Sequence, residues 1–516
     1  MVLQADVVLY SFIGIIVTLL IALKLFFHHL FKYWEKRGLY TPKPIFPFGN
    51  AINFYNGKEC LGELFSTIYL DIKSRGLKHG GFYFWGKRVY IPGDNEIVKK
   101  IIISDFEYFP NHGLYLSESM EPLTGHIFNM EGGKWRNLRA KLPAAFSTCK
   151  MRKMFAEMVG CQKNLCELLD TYESKQQPVN IKDVLSLFST DIITKTAFGI
   201  ETNCLKNKDM DFITHGRSFF DDQWSVFNNT LVITCPRNYL QFFGLKVLKK
   251  EATDFFMKVF GDIKDHREKT DDKREDLTNL LIRLTKYNPD DRLFKDFNGK
   301  GTIDPMNFNE FAAQAYVFFE AGFETSSSTM TFALYELAKN PDIQENLRRE
   351  IQTVLEKYDG VVTYDAMLEM KYLENVVDET LRLYPVFPIL PRICNKEYQV
   401  PGTDLVLEKD TLVVVSQMGL HRDPEFWPDP LVFDPDRFTS ENKATRPTTA
   451  YMPFGDGPRI CIGKRFGLLQ SKAGIIGIIR NYQVSLSKKT IQPFKFDTSG
   501  IILRTKGDVW LQLTKI

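Results

Sequence analysis

The residues best suited to chemistry stand near the C-terminus. Pro453-Phe454-Gly455-Asp456-Gly457-Pro458-Arg459-Ile460-Cys461-Ile462-Gly463 sets one cysteine among glycines, just ahead of a helical pattern from Lys464 through Ile479. Such a loop can turn tightly, present its sulfur and leave backbone amides free to point at it. A helix N-terminus just past the cysteine favours thiolate, the form that ligates metals and attacks electrophiles. Taken alone, the segment more often houses a buried structural cysteine beside a turn. A second group, Ala321-Gly322-Phe323-Glu324-Thr325-Ser326, puts a carboxylate next to a hydroxyl, a pairing that can relay protons. By itself it is equally an N-cap-like cluster interrupting a helix. Glu379 with Arg382 and Trp135 with Arg139 stand at i,i+3 and i,i+4, so each pair shares one helix face.

The combination Phe454-x-x-Gly457-x-Arg459-x-Cys461-x-Gly463 resembles the haem-binding signature of cytochrome P450, the haem-thiolate monooxygenase family. At average residue usage, those five positions match somewhere in a chain this long about once in ten thousand. Further segments resemble the same family in its own order. Glu379-Thr380-Leu381-Arg382 is similar to its E-x-x-R helix, and Phe433-Asp434-Pro435-Asp436-Arg437-Phe438 to the segment whose arginine completes a buried triad bracing the haem loop; Asp436 replaces the usual glutamate. Trp135-Arg136-Asn137-Leu138-Arg139 resembles the W-x-x-x-R of the helix that crosses the haem, and the Ala321–Ser326 segment resembles the oxygen-activation signature.

The resemblance implies a mainly α fold with small β-sheets, a helical haem domain plus a small β-rich region. It implies a b-type haem with the Cys461 thiolate as iron ligand, and Trp135, Arg139, Arg392 and Arg459 as partners of the two propionates. Phe454 joins this haem-binding set, and Gly322 is expected to let the helix backbone pass close over the haem. Thr325 and Glu324 are the expected catalytic pair, delivering the protons that O2 cleavage consumes. Glu320 is less usual for the family: either it faces away from the pocket or it adds an acid to the site.

Thiolate donation favours heterolytic O–O cleavage, so that one oxygen atom enters the substrate and the other leaves as water. No Gly-rich dinucleotide fingerprint follows a strand. The resemblance therefore implies electrons from NADPH through a cytochrome P450 reductase, with cytochrome b5 as an optional second donor and Lys464 and Arg465 as candidate docking cations. The runs from Glu324 to Ala338 and from Pro401 to Asp404 are most similar to insect microsomal members. That similarity implies apolar small-molecule substrates, xenobiotics such as plant toxins or insecticides, with hormone or lipid biosynthesis as the alternative. Two rivals are a reductase-independent haem-thiolate isomerase or dehydratase and a non-catalytic haem carrier or gas sensor.

The elements that must position these groups are chiefly helical. Phe308 to Lys339 is a long apolar-periodic run stopped by Asn340-Pro341, and Ile343 to Tyr358 reads as an amphipathic helix. Gly81–Trp85 and Arg88–Ile91 read as a hairpin joined by Gly86-Lys87; Thr411–Ser416 and Val509–Leu513 are further strands. The charged stretch from Lys264 to Lys286 reads as a solvated helix end and loop.

At the N-terminus, Val7 to Leu23 carries no charge, and the apolar run resumes after Lys24. It is long enough to span a bilayer if Lys24 snorkels. No basic residue precedes it and no small-residue cleavage site follows, which predicts an uncleaved anchor rather than a signal peptide. Lys24, Lys32, Lys36, Arg37 and Lys43 all flank its C-terminal side, which predicts a body facing the cytosol from the endoplasmic reticulum membrane. The organisation expected is an anchor over residues 1–31, a basic and proline-rich connector over 32–50, and one haem domain over 51–516.

Composition excludes other classes. Among 516 residues, 66 Lys+Arg against 63 Asp+Glu leave a net charge of +3, too little for a nucleic-acid footprint. Eight Cys are too sparse for a disulfide scaffold, and no Cys/His cluster offers zinc a site. The 42 Phe hint at an apolar pocket, with Phe318, Phe319, Phe323 and the stretches 114–128, 219–243, 387–390 and 499–502 as candidate linings.

Overall fold

The computed structural model describes residues 2–114, 116–207, 211–218, 242, 244, 246–286, 288, 291–295 and 302–516. Its principal helices, in chain order, are α1 (Val2–Leu30), α2 (Leu61–Ser74), α3 (Gly132–Lys141), α4 (Thr148–Glu173), α5 (Ile181–Ile193), α6 (Lys250–Thr270), α7 (Phe308–Lys339), α8 (Pro341–Glu356), α9 (Lys371–Leu383) and α10 (Lys464–Ile479). The strands that matter are β1 (His79–Phe84), β2 (Lys87–Pro92), β3 (Val179–Asn180), β4 (Ile389–Ile393), β5 (Leu412–Ser416), β6 (Tyr482–Leu486) and β7 (Trp510–Lys515).

Helix α7 organises the body. Asn307 caps it, accepting from the Glu310 amide at 3.0 Å while Glu310 accepts from the Asn307 amide at 2.9 Å, so two orphan donors are satisfied reciprocally. Asn340 ends it because Pro341 has no N–H to continue the ladder. Pro341 instead opens α8, two residues before the expected start, where its fixed φ suits a first turn. About 48 Å of α7 is buried on nearly every face. It crosses α5, α6, α9 and α10, and the helical core forms around it. The sheets lie to the side. One runs β1-β2-β5-β4, with β2 and β5 parallel and the outer pairs antiparallel; another runs β3-β7-β6.

The hairpin turn sits one residue earlier than expected. Phe84 pairs with Lys87, so Trp85-Gly86 makes the turn and Trp85 takes a φ of 55°. The charged stretch is largely solvated, as expected, with Asp265, His266, Lys269, Lys273 and Glu275 exposed. Arg267 is the exception: it is buried and joined to the half-buried Asp276 by two hydrogen bonds of 2.7 and 2.6 Å, tying the end of α6 to the following helix.

The expected anchor and connector behave differently. The apolar side chains of α1 from Leu9 to Phe26 are exposed, and the helix is long and apolar enough to cross a membrane. In the connector, by contrast, Trp34 is fully buried. Its backbone N–H donates to the Tyr83 hydroxyl at 3.0 Å and its indole N–H to the Phe82 carbonyl at 3.3 Å. A Cβ on Gly81 would lie 2.4 Å from the Trp34 ring, so that glycine makes room for the connector. The connector is thus packed into the β-rich region, which fixes how the apolar helix leaves the body.

Candidate active site

The loop before α10 takes its shape from its own backbone. Gly455 and Gly457 have φ of 69° and 66°, and a Cβ on Gly457 would stand 2.2 Å from the Ile102 carbonyl oxygen. No other residue fits there without moving that backbone. The Cys461 amide donates to the Phe454 carbonyl at 2.9 Å, closing the loop and turning the sulfur inward. The thiol is accessible only in the sense that it faces a cavity of about 390 Å³, whose wall also includes Phe454, Arg459, Ile460 and Gly463. Its surroundings act in both directions. Burial pushes the Cys461 thiol up, outweighing the Gly463 and Lys464 amides, Arg139 and the Lys464 charge, which all favour thiolate.

Behind the loop, α9 supplies the brace. Arg382 donates to Glu379 at 2.6 and 2.7 Å, both side chains being fully buried. Arg382 also donates to the His421, Pro430 and Val432 carbonyls, at 2.9, 2.7 and 3.2 Å. The Arg437 guanidinium lies 3.6 Å from Glu379, whose oxygen also accepts the Asp434 amide at 2.9 Å. The triad is therefore assembled, and the aspartate at position 436 leaves it intact because Arg437 makes the contact.

Four donors converge on the same cavity from three elements. Trp135 and Arg139 come from α3, Arg392 from β4 and Arg459 from the loop. Arg459 lies 3.9 Å over the Trp135 ring and donates to the Pro110, Ile127 and Met130 carbonyls at 2.9, 3.3 and 2.8 Å. Arg139 donates to the Ile460 carbonyl at 2.7 Å. Arg392 is 2 % exposed, its Nε has no partner, and its one hydrogen bond is to its neighbour's carbonyl, Pro391, at 2.8 Å. Burial holds its guanidinium down to about 10. Burial and the charge of Arg392 together hold Arg459 down to about 9. Two mutually repelling guanidiniums, Arg392 buried without any carboxylate partner and Arg459 half-buried, fit a ligand that brings carboxylates of its own.

Helix α7 forms another wall of the cavity, and its side chains face differently from the expected arrangement. Thr325 lines the cavity, and its hydroxyl donates to the Ala321 carbonyl at 2.5 Å, within the helix. Glu324 is buried on a different face, 3.8 Å from Arg504 and within 3.5 Å of the Ser328 hydroxyl. The expected carboxylate–hydroxyl pairing inside the cavity is not formed; successive helical residues differ by about 100° in direction. Glu320, which sequence left undecided, lines the cavity instead. Gly322 also faces a neighbour as well as the cavity: a Cβ there would lie 2.6 Å from Ile193 Cδ1, so the glycine admits α5 rather than only a ligand.

The lining is mainly apolar. Phe318 contributes, whereas Phe319 and Phe323 stack on each other at 5.9 Å and belong to the helical core. Leu114, Phe128, Phe387, Leu390, Ile501 and Ile502 come from three of the expected stretches. The fourth, 219–243, lies outside the described residues apart from Phe242, which is exposed. Sequence reasoning missed His112. Its Nδ1 meets the Phe128 carbonyl at 2.8 Å, burial and two nearby arginines hold its imidazole neutral, and an isolated Asn-His-Gly loop gave no signal for it.

Comparison with known proteins accounts for this arrangement. The family model for cytochrome P450 matches residues 41–511. The chain belongs to the cytochrome P450 family. It is 37 % identical over 494 residues to cytochrome P450 6a2 of Drosophila melanogaster, covering 95 % of this chain and 96 % of that one. Cytochrome P450 6k1 of Blattella germanica is 34 % identical over 513 residues, covering 97 % and 96 %. Probable cytochrome P450 6a23 of Drosophila melanogaster is 36 % identical over 507 residues, covering 97 % and 98 %. This P450 is accordingly an oxidoreductase, a monooxygenase that uses O2 and a haem held by a cysteine thiolate. Bound haem supplies oxygen activation at its iron. The cavity-lining arginines and the inward cysteine fit it, and electrons from NADPH through a redox partner are the family's general arrangement.

Proposed function

We propose that this P450 is a microsomal monooxygenase acting on apolar xenobiotics, with Cys461 as the iron ligand and electrons delivered by NADPH–cytochrome P450 reductase. The observation that carries this reading is the shared cavity. Cys461, the four propionate-type donors Trp135, Arg139, Arg392 and Arg459, and the apolar lining all open onto it. In it, Arg392 and Arg459 orient the haem through its carboxylates, Phe454 packs beside Cys461, and the Phe318, Phe128 and Ile501 side chains exclude water from the bound substrate. Thr325 holds a hydroxyl at the cavity wall and passes solvent protons inward; Glu324, joined to Arg504, positions the helix around it.

Relatives of the sixth P450 family in fly and cockroach support an insect-type role. The exposed apolar α1 supports a membrane anchor over residues 1–31, with the basic flank at Lys32, Lys36, Arg37 and Lys43 holding the body on the cytosolic side of the endoplasmic reticulum. Lys464 and the exposed Arg465, close to Cys461 in sequence, form a docking patch for the reductase.

Reconstitution with the reductase in nanodiscs tests the reading. Plant-toxin or insecticide substrates should stimulate NADPH oxidation and yield products carrying one atom from isotopically labelled O2. Turnover sustained only by an organic hydroperoxide, with no response to NADPH and reductase, would favour the isomerase reading and overturn this one.

A further inference from the structure

Glu320 is the one carboxylate among the described residues of the cavity wall. It is 7 % exposed, and neither of its oxygens has a hydrogen-bond partner. Tyr316 and Glu324 stand one turn away on either side along α7; the Tyr316 hydroxyl favours the ionised form without closing a hydrogen bond of good geometry, and the Glu324 charge disfavours it. Burial therefore pushes the Glu320 carboxyl well above the usual carboxylate range. The cationic lining residues Arg139, Arg392 and Arg459 are engaged around the cysteine loop and on β4 and do not pair with it. A buried acid with two unused oxygens in an apolar chamber is costly unless something that enters the chamber completes it.

We propose that Glu320 sets the substrate class of this site: it receives apolar molecules carrying one protonatable amine, and the Glu320 carboxylate holds that nitrogen. The inference rests on the reading that this cavity is where the monooxygenase binds substrate. An ionised carboxylate only accepts hydrogen bonds, so it needs donors; a hydroxyl brings one donor and leaves the charge uncompensated. An amine supplies both. When a free base enters, the Glu320 O–H bond breaks and an N–H bond forms, so a neutral acid and a neutral amine become an ion pair with no net charge taken into the chamber. The rest of the molecule lies against Phe318 and the apolar lining.

The test is equilibrium dialysis of the full-length haem protein in nanodiscs, with protein-free nanodiscs as the blank. The probes are a phenylalkane ending in a dimethylamino group and the isostere in which carbon replaces nitrogen. The wild type should bind the amine at least about tenfold more tightly, and Glu320→Gln should abolish that preference while leaving the isostere's affinity unchanged. Equal affinities in the wild type would overturn the proposal, as would an amine preference that survives Glu320→Gln, which would place the nitrogen at the iron. The wild-type comparison stands even where the variant folds poorly. Dialysis reads occupancy without turnover, so its failure is separate from failure of the monooxygenase reading, which appears as loss of the thiolate-ligated Soret band in the same preparation.

Discussion

The two sides of the cavity are built on different principles. Around Cys461, position is dictated by backbone: a glycine that nothing else can replace, a loop closed by amide–carbonyl bonds, and a buried ion-pair network that binds four carbonyls or carboxylates through one arginine. Along α7, position is dictated by which way individual side chains project from a regular helix. Glu320 and Thr325 reach the cavity, while Glu324 does not line it. A backbone-built wall tolerates little change, and a side-chain wall can vary its chemistry without loss of fold.

The largest effect is expected where the first wall is broken. Arg382→Ala strands the Glu379 carboxylate and three carbonyls, and should cost about 3–5 kcal/mol, read as loss of haem content and a lower denaturant midpoint. An unchanged midpoint would mean that the brace does not hold the loop. Next, Gly322→Ala drives a methyl into Ile193 and should cost about 1–3 kcal/mol, relieved in the double variant with Ile193→Ala. Additive losses in that cycle would show that Gly322 serves the ligand and not the contact between α7 and α5.

Thr325→Ala removes a single hydroxyl that bonds within its own helix, so stability should change by no more than about 1 kcal/mol. Its effect should fall on coupling: NADPH consumed per product rises and hydrogen peroxide appears. Full coupling would refute the proton role. Glu324→Gln should instead lower stability more than coupling, because Glu324 meets Arg504 rather than the cavity. The smallest structural effect belongs to Lys464→Glu, within about 0.5 kcal/mol, while the reductase concentration needed for half-maximal turnover rises and its salt dependence weakens.

This difference also explains what sequence made legible. The cysteine loop, the Glu379–Arg382 pair and the ends of α7 were readable because glycines, a proline and fixed helical spacing determine backbone with few alternatives. Which of Glu320 and Glu324 meets the cavity was not, since i,i+4 residues share a helix face and only their place along α7, with Arg504 beside Glu324, separates them. Phe319 and Phe323 misled for the same reason: an aromatic on the right helix is core on one face and lining on another. Trp34 escaped notice because its burial depends on Gly81, far away in sequence.

The central claim is that Cys461 presents a thiolate to the haem iron from the backbone-built wall. The carbon monoxide difference spectrum of the reduced protein tests it most directly. The wild type should show the red-shifted Soret band of thiolate ligation and Cys461→Ser should lose it; a wild type without the band, or a variant that keeps it, would contradict the account.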